Sequence, residues 1–169
     1  YFNQDFTRTM GYSGSIRSSL YPMFDFRMGW GNTGKSSLLQ NSKPVKLYWS
    51  PEVTSEITCR VDKRDLHITA IYKYTGKTTR IYMDSAGELT EGFMDAYHNL
   101  DLTVLKSYFN KRLSVNAGVR NLFDVTSISS IGGSGGVHSS GGSSVPVAWG
   151  RTFFLKLSYS ITKDEPETK

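Results

Sequence analysis

Apolar residues recur at every second position in about seven separate segments of this chain. That period of two is the signature of β-strands, whose side chains point alternately to opposite faces. The clearest segment is "GRTFFLKLSYSI", Gly150 to Ile161. Here Phe153, Leu155, Leu157, Tyr159 and Ile161 share one face, and Thr152, Phe154, Lys156, Ser158 and Ser160 the other. Before it, one face carries Leu113, Val115, Ala117 and Val119, then Leu100, Leu102, Val104 and Tyr108, then Leu66, Ile68, Ala70, Tyr72 and Tyr74. Further upstream come Val53, Ile57, Cys59 and Val61, then Phe24, Phe26, Met28 and Trp30, and more weakly Met10, Tyr12 and Ile16. No segment has the period of a helix, and none approaches the roughly 20 apolar residues of a membrane-spanning one.

Charge is confined to the opposite face of the same strands: Arg17, Asp25, Arg27, Glu56, Arg60, His67, Lys73, Asp101, Arg120 and Lys156, with Asn116. Ser55 and Lys106 break the rule, and Lys106 lies close enough to a strand end for its long side chain to snorkel. Tight polar turns are expected around Ser19 to Tyr21, Asp62 to Asp65 and Asn110 to Arg112. Between them fall long connections, Gly31 to Pro51, Gly76 to Tyr97 and Val125 to Trp149. Short turns at one end and long loops at the other are the layout of an outer-membrane barrel.

The aromatics of the apolar face agree. Trp30, Tyr74 and Phe153 fall at the long-loop ends of their strands, and Phe24, Tyr108 and Tyr159 near the short turns, like two girdles around a lipid-facing band. A soluble, lipocalin-like calyx has the same alternation with its apolar face turned inward, so periodicity leaves that alternative open. An open seven-stranded sheet could not survive alone in lipid, and bacterial single-chain barrels have an even number of strands, so the expectation is one part of a larger barrel. Residues 1–161 then form barrel strands with extracellular loops, and "TKDEPETK", Thr162 to Lys169, a polar, disordered tail. The start, "YFNQDFTRTM", has neither an initiating Met nor a signal-peptide layout, and reads as a mature or cut product.

Two motifs carry a family resemblance. "SVNAGVRNLFDVTSI", Ser114 to Ile128, followed after a long loop by the terminal strand, closely resembles the C-terminal end of TonB-dependent outer-membrane receptors. Asn121, Leu122, Phe123 and Asp124 match the motif that closes the penultimate strand of that family. Gly150, Arg151 and Phe153 match the run that opens the last. The segment from Ser50 to Lys77 is similar to the preceding hairpin, and the Ser- and Gly-rich outer loop to those of Bacteroides and Porphyromonas receptors.

The resemblance implies an antiparallel transmembrane β-barrel of 22 strands filled by an N-terminal plug, of which this chain is about the last seven strands. It implies a bacterial outer-membrane location and energised uptake of a scarce nutrient: a siderophore, haem, cobalamin or oligosaccharide. The partners implied are lipid, the remaining strands and plug, the TonB complex acting through that plug, and the barrel-assembly machinery. A surface lipoprotein is a further candidate. The plug and its TonB-contacting box are expected to lie outside this sequence. Phe153, Leu155, Leu157, Tyr159 and Ile161 fit the terminal-strand signal read by the assembly machinery, although ending on Ile161 and continuing into a tail departs from the pattern.

Other features are weighed against plainer readings. "GWGNTGKS", Gly29 to Ser36, has phosphate-loop spacing, but no helix follows to complete that mechanism, so a hairpin loop is the stronger expectation. Tyr48, Trp49, Tyr82 and Phe93 are loop aromatics able to stack on a sugar or macrocycle, or on one another. His98 and His138 are candidate contacts for haem or a metal chelate at the outer mouth, without the spacing of a metal site. Asp84, Glu88, Glu91 and Asp95 read as a solvated acidic loop. Cys59, the single cysteine, sits on the apolar face with Ile57 and Val61. The net charge of +5 is scattered, which gives no nucleic-acid footprint. Neither a catalytic constellation nor a cofactor or metal site emerges, and a non-enzyme is expected.

Overall fold

A computed structural model of the chain describes residues 6–38, 47–83, 89–131 and 143–161. The chain is all-β, with a seven-stranded antiparallel sheet and a smaller four-stranded one, and no α-helix among the described residues. The large sheet consists of β1 (Phe6–Leu20), β2 (Phe24–Leu38), β3 (Tyr48–Val61), β4 (Leu66–Thr75), β7 (Tyr97–Tyr108), β8 (Leu113–Arg120) and β11 (Thr152–Tyr159). These seven pair in that order, each with its neighbours in the chain apart from two excursions. The excursions form the small sheet: β5 (Thr78–Met83) and β6 (Leu89–Met94) leave after β4, and β9 (Ser127–Ile131) and β10 (Ser143–Pro146) leave after β8, in the order β10, β9, β6, β5.

Register places the alternating residues as their period requires. Leu155 stands opposite Ala117, which stands opposite Val104, and the row continues through Ile68 and Cys59 to Phe24. The next row runs Phe153, Val119, Leu102, Ala70, Ile57, Phe26. One continuous apolar face therefore crosses the sheet. Lys106 lies within it, opposite Leu66 and Val115, and its ammonium donates to the Arg64 carbonyl in the short turn. The expected snorkel is how this cation leaves the apolar surface.

That face has no core beneath it. Ile128, 7 % exposed, is the only buried apolar side chain among the described residues, while Phe153 is 75 %, Leu155 67 % and Leu157 65 % exposed. The sheet does not close on itself either, since β1 and β11 are its two edges. Neither a closed barrel nor a calyx with an apolar interior is formed by the described residues.

The stagger of the short turns gives the slope of the strands. Phe24 begins β2 in the row of Ile68, and Leu66 begins β4 two positions before Ile68. Leu66 shares its row with Val115, and Leu113 begins β8 two positions before that. A constant step of two residues per hairpin, at about 3.3 Å per residue along a strand and about 4.8 Å between strands, corresponds to a tilt of roughly 35°. Barrel strands tilt by about 35–45°. With turns level, Phe153 and Tyr159 on β11 match Trp30 and Phe24 on β2 in height, each pair about 20 Å apart along its strand.

The short turns are built from backbone that few residues tolerate. Tyr21 sits at φ 74° between β1 and β2, a 3₁₀ turn at Asp62–Arg64 ends on Asp65 at φ 46°, and Phe109, Asn110 and Lys111 all have positive φ between β7 and β8. The β1–β2 turn falls at Tyr21 to Met23, slightly later than the sequence placed it.

All three long connections differ from the expected loops. Gly31 to Pro51 is mostly strand, because β2 continues to Leu38 and β3 begins at Tyr48. The phosphate-loop-like stretch Gly29 to Ser36 lies inside β2, paired with β1 and, through Lys35, with β3. It is neither a phosphate cradle nor a hairpin loop. The segments Gly76 to Tyr97 and Val125 to Trp149 contain the small sheet.

On the polar face Phe154 lies across Gly118, where a Cβ would press on the Leu102 carbonyl oxygen and come within 2.7 Å of the Phe154 ring, and the Arg120 guanidinium sits 5.4 Å from the same ring centroid. A Gly118→Val substitution should cost about 1–3 kcal/mol by straining that backbone contact and displacing the ring. Urea unfolding tests this, and an unchanged midpoint would show that both the strand pairing and the ring yield freely.

Candidate functional site

The polar face is a charged surface with its own pairing. Arg27 reaches Glu56 at 3.9 Å, Arg60 pairs with Asp25, Ser19 donates to Asp25 at 2.8 Å, and the Thr58 and Thr69 hydroxyls are 3.1 Å apart. Arg17 stands directly opposite Arg27, a like-charge pair that Glu56 beside Arg27 moderates. Lys73 and Lys156 have no ion pair among the described residues. Three buried oxygens on this face, of Thr75, Asn99 and Asn116, have no protein partner. Such groups are satisfied when water reaches them.

The end of the sheet away from the short turns is closed by Asn121 to Asp124 with Gly150 and Arg151. Asn121, 5 % exposed and at φ 53°, is the centre. Its amide nitrogen donates to the carbonyls of Val125 and Trp149, both at 3.0 Å, and its amide oxygen accepts from Val125 N–H at 3.0 Å. Its own backbone N–H donates to Asp101 Oδ1 at 2.8 Å, and Leu122 N–H continues the ladder to Leu100.

Asp124, at φ 59°, accepts from Arg151 N–H at 2.7 Å, and Arg151 Nε donates to the Leu122 carbonyl at 3.0 Å. Asp124 Oδ1 occupies the space beside Gly150, where a Cβ would meet it at 3.0 Å. Asn121, Asp124, Gly150 and Arg151 thus form a clasp that fixes the entry of β11 against the exit of β8. Asp101 and the Trp149 carbonyl belong to it, and sequence reading assigned neither. Phe123 and Phe153 lie outside the clasp, exposed.

At the same end a small polar cavity of about 130 Å³ opens between the start of β3, the end of β2 and β5, lined by Thr33, Lys35, Tyr48, Ser50, Glu52, Thr78 and Thr79. Ser50 Oγ donates to the Gly76 carbonyl at 3.3 Å and lies 3.3 Å from Thr78 Oγ1. This ties the small sheet to the large one. The cavity offers hydroxyls, one cation and one carboxylate.

The candidate ligand aromatics pack among themselves. Tyr48 meets Phe93 edge to face at 5.6 Å, Lys77 Nζ sits 4.7 Å above the Phe93 ring and 3.9 Å from Asp95, and Trp49 lies 5.9 Å from Tyr12. Tyr48 and Trp49 are the first residues of β3 rather than loop residues. His98, opposite Tyr74, is the second residue of β7 and lies on the apolar face, with Nδ1 2.6 Å from the Tyr72 hydroxyl. For Tyr82 and Glu91 the backbone alone is described, in β5 and β6, while Asp84, Glu88, His138 and the tail from Thr162 lie outside the described residues. Among the described residues no three His, Cys, Asp or Glu side chains converge to hold a metal ion.

These features define an open antiparallel sheet with one face exposed and apolar and the other charged. Compared with protein-family models, curated proteins and solved structures, the chain gives no match.

Proposed function

We propose that the chain forms part of the wall of a transmembrane β-barrel in the bacterial outer membrane, as about the last seven strands of a TonB-dependent receptor of 22 strands. One observation carries the membrane part of this reading: a seven-stranded sheet with a continuous apolar face, and among the described residues no buried apolar side chain beneath it, Ile128 belonging to the small sheet. Such a face exposed to water would be far larger than the patches soluble monomers tolerate, whereas in lipid it needs no core. Strand tilt, aromatic girdles and a charged opposite face with unpaired oxygens support the same reading. Its unpaired edges β1 and β11 require further strands, because lipid cannot satisfy open backbone groups.

The receptor part rests on the motif resemblance. The clasp gives those residues a task, holding the terminal strand in place so that it presents Phe153, Leu155, Leu157, Tyr159 and Ile161 outward, where the assembly machinery reads them. Substrate, whether siderophore, haem, cobalamin or oligosaccharide, enters over the polar cavity and passes along the charged face. The plug, drawn by the TonB complex, gates that passage, and a surface lipoprotein covers the mouth. The barrel wall itself performs no catalysis.

Both parts can be tested in cells. The protein should stay in the membrane pellet after an alkaline wash and come out only in detergent. A strain lacking it should lose growth on one of those nutrients as a limiting source, and a protonophore should abolish uptake in the parent strain. A protein that is monodisperse in buffer without detergent would sink the membrane reading. Uptake that ignores the protonophore would sink the TonB-dependent one.

A further inference from the structure

We infer that the groove at the outer end of β4 and β7 binds one lipid molecule of the surrounding membrane, with an acyl chain inside and its polar part at the rim. This rests on the membrane reading above. The groove, of about 540 Å³, lies between the outer ends of these strands and the segment that leaves β8 for β9. Cavities of roughly 300–1,000 Å³ hold small organic ligands.

Its lining is amphipathic. Ala96, Phe123, Val125 and Ile128 supply apolar walls, and Tyr72 and His98 supply polar atoms, held 2.6 Å apart. Ile128 is buried, yet Phe123 remains 50 % exposed. The His98 ring also lies 5.0 Å from the Tyr74 ring, tilted by 38° to it.

Access decides the occupant. Tyr72 and His98 belong to the apolar face, Tyr72 opposite Ser55 and Leu100, His98 opposite Tyr74. The groove is therefore reached from the side that meets lipid, and a nutrient on the polar side does not pass it. It also sits at the level of the outer aromatic girdle, where a lipid's chain and polar head meet. An amphipathic groove on that side, at that height, matches an amphiphile already dissolved in the membrane.

The test is native mass spectrometry of the intact, detergent-purified protein titrated with dimyristoyl phosphatidylethanolamine. The wild type should hold one lipid at concentrations where Ala96→Trp, which fills the groove, and Phe123→Asn, which makes its wall polar, hold at least tenfold less. Leu157→Trp, on the same apolar face but far from the groove, should bind as the wild type does. Equal retention in all four proteins, or none in the wild type, would overturn the lipid site while leaving the membrane reading intact. A variant that fails to fold is identified by its unfolding transition, and the other then decides. A wild type that needs no detergent would remove the membrane reading itself.

Discussion

Leu155→Arg should lower the stability of the membrane-inserted protein by about 2–4 kcal/mol, a shift of roughly 30- to 1,000-fold in the folded population. Leu155 lies between the two aromatics Phe153 and Tyr159 of its own strand, in the row of Ala117, Val104 and Ile68. On the proposed membrane reading, a guanidinium there has no partner on its face and meets hydrocarbon. Ser158→Arg, three residues along the same strand but on the polar face opposite Ser114, should change stability by no more than about 0.5 kcal/mol. Because Leu155 is also part of the proposed terminal-strand signal, both variants should be refolded into vesicles without assembly machinery and unfolded in urea. Equal effects from the two substitutions would mean that the faces do not meet different media.

Asn121→Ala is the second large effect expected, about 2–4 kcal/mol. The amide makes three hydrogen bonds, to Val125 twice and to Trp149, from a position at φ 53°. Alanine abandons the buried groups, at about 1–3 kcal/mol for each left unsatisfied, and adds the strain of a left-handed backbone, roughly 1–2 kcal/mol. The Trp149 side chain is exposed, so water can serve its carbonyl and the total stays below the sum of these costs. The loss should be local as well as global. Amide hydrogen exchange at Arg151 to Phe153 should quicken first, since the clasp holds β11 to β8 there. Unchanged protection at those amides would mean that the ladder alone anchors the terminal strand.

Much of the large sheet was legible because two faces of opposite polarity impose a period of two on each strand. The seven strands, their two faces and the escape of Lys106 all follow from that period. The small sheet was not, because segments such as "SISSI" and "TTRIYM", β9 and β5, are too short to show an alternation. The extension of β2 was hidden differently. "GNTGKSSL" has the composition of a turn, and its strand character comes from pairing with β1 from Phe6 to Ser13.

Counting back by two from Leu100 assigns His98 to the apolar face, where it lies opposite Tyr74. The clasp was visible only as a motif: Asn and Asp are residues that accept positive φ, but which carbonyls Asn121 reaches depends on where β11 returns. That return is set by the long excursion through β9 and β10, and no local pattern encodes it.

The central claim, that the apolar face meets lipid and the charged face water, is tested most directly by single cysteines along β11. With Cys59→Ala removing the native thiol, cysteine is placed in turn at Phe153, Phe154, Leu155, Lys156, Leu157 and Ser158, and native membranes are treated with a charged maleimide. The account predicts labelling at Phe154, Lys156 and Ser158 and protection at Phe153, Leu155 and Leu157, with protection lost once the protein is unfolded in urea. Uniform labelling, or the inverse alternation, would contradict it.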